Sequence, residues 1–300
     1  MGDSLHELNV RCGRPDVRFV AGLGDFAVAQ LSNRFGVATV ALHGAHVMSY
    51  VPQGAHPVIW MSEHSKFEPG QPIRGGVPVC WPWFGPDPLS RFGGHGFARL
   101  VSWRVAQTET APGGETSIAL ELTDHMVPAE FEPYPFKLEL TVTLGPALVI
   151  ALKVWNTGDR TVEYSGALHT YFAVADAAKI QITGLEDCDY FDSVLGAAGV
   201  QRGAIVIDRE IDRIYKGTSG ICRILDPGFD RVIRVAKSGS TSTVVWNPWI
   251  AKSQRMSDFG DEEYHTMVCI EAANAPRADD CRTLPPGGRA ELRQIISLEA

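Results

Sequence analysis

Six residues in five short segments carry the side chains from which chemistry could be built. In SGALHTYFAV, His169 sits inside what reads as a β-strand. Side chains alternate faces along a strand, so Leu168, Thr170, Phe172 and Val174 share an apolar face and Ala167, His169, Tyr171 and Ala173 share the other. In YHTMVCIEAAN, Met267, Cys269 and Glu271 share one face while Val268, Ile270 and Ala272 share its opposite. A carboxylate that closes such an apolar run either stands at a wet rim or meets a polar group in a pocket, because an unpaired buried charge is costly. Arg74 precedes the Gly75-Gly76 turn of QPIRGGVPVCWPWFGP, and FGGHGFARLVSW places His95 between glycines with Arg99 four residues on. Two arginines in Gly-rich surroundings suit an anion, whose oxygens a planar guanidinium meets in bidentate fashion. EIDRIYKG contributes Asp212, beside Arg213 and Tyr215, although Asp-Arg neighbours most often mark an exposed turn.

Other chemistries lack their residues. The glycines Gly93, Gly94 and Gly96 are followed by neither the lysine nor the helix of a phosphate-cradling loop. A G-x-S-x-G nucleophile elbow is missing too. His43 and His46 are three residues apart, which on a strand points them to opposite faces, and His56 and His64 add no carboxylate or cysteine set. The six cysteines are scattered without a C-x-x-C pair, and several lie in apolar runs as small buried residues.

The elements that must position these residues read as strands. VATVALHG, KLELTVTLG, ALVIALKVWNTG, DRVIRVAKSG and TSTVVWNPW are β-branched or aromatic runs broken by Gly, Pro, Asn and Asp. KLELTVTLG alternates strictly, as a strand with one solvated face does. Long amphipathic helices are not indicated; MSDFGDEEYHTMVC holds at most a helical turn. The expectation is an all-β, large antiparallel β-sandwich forming one domain over residues 1–300, with 1–20 as a peripheral N-terminal segment.

Composition bounds the function. Of 300 residues, 45% are hydrophobic and 21% charged, enough apolar material for a large core. With 27 Lys and Arg against 35 Asp and Glu, the net charge of −8 argues against general attraction to nucleic acid or anionic lipid. A specific anion can still be held by local arginines. No segment reaches the length of a signal-peptide core or a membrane span, so a cytoplasmic location, with no membrane partner, is expected.

Taken in order, IRGGVPVCWPWFGP, GHGFAR, LHTYF, DRIY, WNPW with MSDF, and MVCIEAAN resemble the aldose 1-epimerase superfamily, above all its branch acting on hexose 6-phosphates, the glucose-6-phosphate 1-epimerases. The similarity runs from about Ala21 to the final LPPGG…LRQIISL. It implies a galactose mutarotase-like sandwich, a catalytic pair of His169 and Glu271, and substrate contacts from Arg74, His95, Arg99 and Asp212. The implied reaction is interconversion of sugar anomers. Glu271 takes the proton of the C1 hydroxyl, and His169 supplies one to the ring oxygen. The resemblance calls for no metal, nucleotide or redox cofactor, a small-molecule hexose phosphate as the partner, and a monomer. The Trp81–Trp83 loop is expected to wall the site. Gly94 departs from the pattern, since relatives commonly carry a polar residue there. A non-catalytic carbohydrate-binding sandwich would need the aromatic wall without the acid/base pair. A glycoside hydrolase or lyase would need a second carboxylate, from Asp212 or Asp258, opposed to Glu271.

Overall fold

The strictly alternating runs form the longest strands. Phe136–Leu144 and Leu148–Asn156 alternate buried and half-buried residues throughout and pair antiparallel across a tight turn at Gly145. They belong to an eight-stranded antiparallel sheet that also holds Arg289–Glu299. A second eight-stranded sheet contains, in spatial order, Ile211–Tyr215, Ser242–Asn247, Met267–Asn274, Gly166–Leu168 and Val79–Cys80. A four-stranded antiparallel sheet covers Val17–Pro52. This computed structural model describes residues 3–299.

The two large sheets share one core. Leu168, Phe172, Val268, Ile270 and Ala272 from one sheet cluster with Leu138, Leu140, Ile150, Leu152, Leu292 and Ile296 from the other. That contact is the sandwich. The predicted face assignments hold on both strands. Met267, Cys269 and Tyr171 turn the other way, into a separate cluster with Trp60, Trp246, Phe259 and Tyr264. Every residue of Met267–Asn274 is buried, because this strand is covered on both faces.

Two details depart from the sequence reading. Residues Leu5–Cys12 form a helix, closed at its start by a reciprocal capping box between Ser4 and Glu7. Its Leu8 and Cys12 are buried, and Thr108 donates to the Cys12 carbonyl, so the helix covers the edge strand Arg104–Thr110. The His169 strand is also interrupted. It runs as Gly166–Leu168 and Tyr171–Ala173, and the Thr170 N–H folds back onto the Leu168 carbonyl at 3.0 Å. Helical structure in the MSDFGDEEYHTMVC region is confined to the turn Glu263–Thr266, as the sequence suggests.

Candidate active site

Strand register brings the sequence-predicted residues to one face. Leu168 pairs with Ala272 and Tyr171 with Cys269, so His169 stands directly opposite Glu271 across the interruption. Glu271 pairs on its far side with Val244, and the His169 N–H continues the ladder to the Pro78 carbonyl at 3.1 Å. One row across the sheet therefore reads Ile214, Val244, Glu271, His169, Pro78. The neighbouring row reads Asp212, Trp246, Cys269, Tyr171. Over these rows lies a cavity of about 330 Å³, lined by Arg74, His95, Arg99, His169, Asp212 and Glu271 together with Tyr171, Trp246, Lys252 and Phe84. All six predicted residues meet in it.

Loops bring the remaining side chains over the sheet. Gly76 has φ +63°, and a Cβ there would lie 2.2 Å from His46 Nε2, so only glycine lets the Arg74 loop cross at this point. The His43 and His46 pair is not part of the site. His43 stacks on Phe26 and His46 is buried behind Gly76. Among the described residues, no cluster of three or more His, Cys, Asp or Glu is placed to hold a metal ion.

His95 has φ +67°, an uncommon conformation for a residue with a side chain. Its N–H is tied to the Gly85 carbonyl at 2.7 Å, and the Gly85 N–H points at its Nδ1 at 3.4 Å. With Nδ1 as acceptor, the ring proton belongs on Nε2. Burial, reinforced by Arg99 and Arg74, pushes the His95 pKa down to about 3, so the ring is a neutral donor.

The His169 Nε2 lies 3.4 Å from Glu271 Oε1. Glu271 is 1% exposed and His169 9%. Burial, with a contribution from the Asp212 charge, raises the Glu271 carboxyl well above its usual range. Burial foremost, then the neighbouring His95 and the positive charges of Arg74 and Arg99, holds the His169 imidazole well below neutrality. Among the described residues, Glu271 Oε2 and His169 Nδ1 have no hydrogen-bond partner. Buried polar atoms left unpaired are costly, and their concentration here marks a place where a ligand completes the bonding.

The two arginines are held differently. Arg74 donates to the Tyr171 hydroxyl at 2.9 Å and pairs with Asp258 at 3.1 Å. Arg99 donates to the Gly94 carbonyl at 2.7 Å, leaves Nε unpartnered, and among the described residues has no carboxylate partner. Gly94, the position that departs from the resemblance, thus acts through its backbone. Asp212 is raised by burial and lies 3.9 Å from Lys252 Nζ, which also pairs with Glu210 at 2.9 Å.

The expected Trp81–Trp83 wall is not there. Trp81 is fully buried among Phe97, Tyr134, Phe136 and Tyr164, and Trp83 packs on Phe92 and Phe97. These large rings anchor the loop in the core, and the loop reaches the cavity through Pro78 and Phe84. Trp246 supplies an aromatic wall instead. Sequence reasoning also missed the Tyr171 and Asp258 contacts with Arg74. Tyr171 was visible as a face-mate of His169, whereas the partnership with Asp258 spans 184 positions and has no local signature.

Comparison with known proteins agrees with this architecture. The aldose 1-epimerase family model matches residues 28–297. An Escherichia coli K12 protein provisionally named glucose-6-phosphate 1-epimerase is 37% identical over 262 residues, covering 86% of each chain. A protein of the same provisional name from Cenchrus ciliaris is 33% identical over 273 residues, covering 88% of this chain and 81% of the relative. The crystal structure of a provisionally assigned mutarotase from Salmonella typhimurium superposes with a TM-score of 0.88 at 30% identity, covering 95% of this chain and 94% of the other. This chain belongs to the aldose 1-epimerase family.

Proposed function

We propose that the chain is an isomerase that interconverts the α and β anomers of a hexose 6-phosphate, with D-glucose 6-phosphate as the preferred substrate. The observation that carries the reading is the opposed, buried pair His169–Glu271 in a cavity whose Arg99 guanidinium has no carboxylate partner among the described residues. An acid and a base facing each other serve proton transfer, and an uncompensated, half-buried cation calls for an anion.

In this mechanism Glu271 accepts the proton of the C1 hydroxyl while His169 delivers a proton to the ring oxygen. The C1–O5 bond breaks as the C1–O carbonyl forms. Rotation about C1–C2 presents the other face of the aldehyde, and closure uses the same pair in reversed roles. Burial pulls the empty pair toward its uncharged forms, with one proton held between them. A C1 hydroxyl donating to the carboxylate and a ring oxygen accepting from the imidazolium stabilise the charged arrangement that the reaction needs. His95 donates from Nε2 to a sugar oxygen, Asp212 accepts from hydroxyls, and Arg99 with Arg74 holds the phosphate.

The rival chemistries fit less well. A hydrolase would oppose two carboxylates, but Glu271 faces an imidazole and Asp258 is bound to Arg74. A binding module has no use for a carboxyl buried beside an imidazole. Among the described residues no helix is long and apolar enough to cross a membrane. The test is NMR exchange between anomers of glucose 6-phosphate and of glucose at equal enzyme concentration. Faster exchange of the phosphorylated sugar is expected. Exchange of neither sugar above the buffer rate would refute the reading.

A further inference from the structure

Gln294 has no evident reason to be where it is. It lies on Arg289–Glu299 in the sheet opposite the site, is 0% exposed, and sits among Leu292, Ile296, Ile270 and Leu168 in the shared core. A primary amide is costly in such surroundings unless its hydrogen bonds are made. Both ends are bonded, and each bond lands beside one member of the His169–Glu271 pair. The amide N–H donates to the carbonyl of Ile270, the residue before Glu271, at 3.0 Å. The amide oxygen accepts from the hydroxyl of Thr170, the residue after His169.

These bonds sit at the interruption in the ladder. Thr170 has turned its N–H onto Leu168, so the two strands lack their regular backbone bonding at this point. One side chain from the opposite sheet replaces it. We propose that Gln294, acting through Thr170 and Ile270, is a positioning residue that sets the separation of His169 and Glu271. The proposal rests on the reading of that pair as the acid and base. Proton transfer is sensitive to distance, and misplacement by about 1 Å can cost on the order of 100-fold in rate. In a low-dielectric core a fully satisfied amide bridge is also stiffer than the apolar contacts that could replace it.

The test compares Gln294→Leu, Thr170→Val and Thr170→Ser with the wild type. Readouts are kcat and KM for glucose 6-phosphate anomer exchange, the melting temperature, and the NMR titration and tautomer of the His169 imidazole. Gln294→Leu and Thr170→Val are expected to fold with kcat lowered about 10- to 100-fold, KM within about twofold, and an altered imidazole titration. Thr170→Ser keeps the hydroxyl and is expected to keep both kcat and the titration. Should Gln294→Leu fail to fold, the Thr170 pair of variants makes the same comparison at the other end of the bridge. Wild-type kcat and titration in Thr170→Val, or equal losses in Thr170→Ser and Thr170→Val, would overturn the proposal. If the wild type exchanged no anomers, the functional reading would fall, while the imidazole titration would still decide whether the bridge positions His169.

Discussion

Arg74 and Asp258 form an ion pair in which one carboxylate oxygen meets Nε at 3.2 Å and Nη2 at 3.1 Å. This bond divides the two arginines that the sequence presents as equals. Arg74 enters the cavity with its charge already balanced, whereas Arg99 lines it with an unpartnered Nε and no carboxylate among the described residues.

The arginines should therefore differ in their effect on the phosphorylated substrate. Arg99→Gln is expected to lower kcat/KM for glucose 6-phosphate roughly 10- to 100-fold, the loss of a charge-assisted contact, mostly through KM. Arg74→Gln should cost less. Exchange of free glucose should change little in Arg99→Gln, whereas Arg74→Gln also releases the Tyr171 hydroxyl beside His169. Proportional losses on both sugars in Arg99→Gln would show that Arg99 does not act on phosphate.

Removing either proton-transfer group should be severe. Glu271→Gln and His169→Asn are each expected to lower kcat by about 10²–10⁴-fold. The double variant should be little worse than the poorer single variant, because the two act as a unit. The check is NMR exchange with folding confirmed by circular dichroism. Near-complete activity in Glu271→Gln would remove it from the mechanism.

The pH profile follows from the directions of the two shifts. Acid inactivation requires a second proton on the pair. Since burial lowers His169, the acid limb of kcat/KM is expected below the ordinary imidazole value of 6.5. Alkaline inactivation removes the single proton of the pair. Burial and Asp212 raise Glu271, so Asp212→Asn, which deletes the raising charge, is expected to move the alkaline limb to lower pH. A limb that moved upward would contradict this assignment.

Stability should respond in the opposite sense to activity. The Glu271 pKa is raised on folding, so its contribution is fully present below 4.5 and is lost as pH rises through the folded value. At pH 8 its ionisation opposes folding. Glu271→Gln should then melt roughly 2–4 °C higher, the shift that about 1 kcal/mol produces in a domain of moderate size. The gain should shrink toward pH 5. For His169 the pKa is lowered on folding, and its contribution is present above 6.5 and lost as pH falls through the folded value. Scanning calorimetry of both variants at the two pH values gives the answer.

Much of this molecule was legible in the chain because period-2 alternation is a local property. KLELTVTLG and MVCIEAAN announce their faces, and both faces are as read. The short helix Leu5–Cys12 was not legible, since its two buried residues, Leu8 and Cys12, are too few to set a period. The gathering of all six site residues followed from ordered motifs rather than from spacing. What the motifs could not convey was balance: Asp258 against Arg74, and Gln294 behind the sheet, are long-range partnerships that leave no mark on neighbouring residues. The Trp81–Trp83 loop misled because an aromatic ring reads the same whether it walls a cavity or fills a core.

The ring of Tyr171 lies flat against the imidazole of His169, with centroids 4.9 Å apart, and its hydroxyl is held by Arg74 at 2.9 Å. One phenol therefore joins Arg74 to His169, the residues proposed to meet the phosphate and the reacting end of the sugar. An anion that settles on Arg74 presses on the same group that orients the imidazole, whether or not it is attached to a sugar. Inorganic phosphite added to free glucose is thus expected to accelerate anomer exchange in the wild type, and to do so much less in Tyr171→Phe, which keeps the stacked ring and loses the hydroxyl. That outcome would make the phosphate of the substrate an activator as well as a handle, and the enzyme one that its substrate switches on in two pieces.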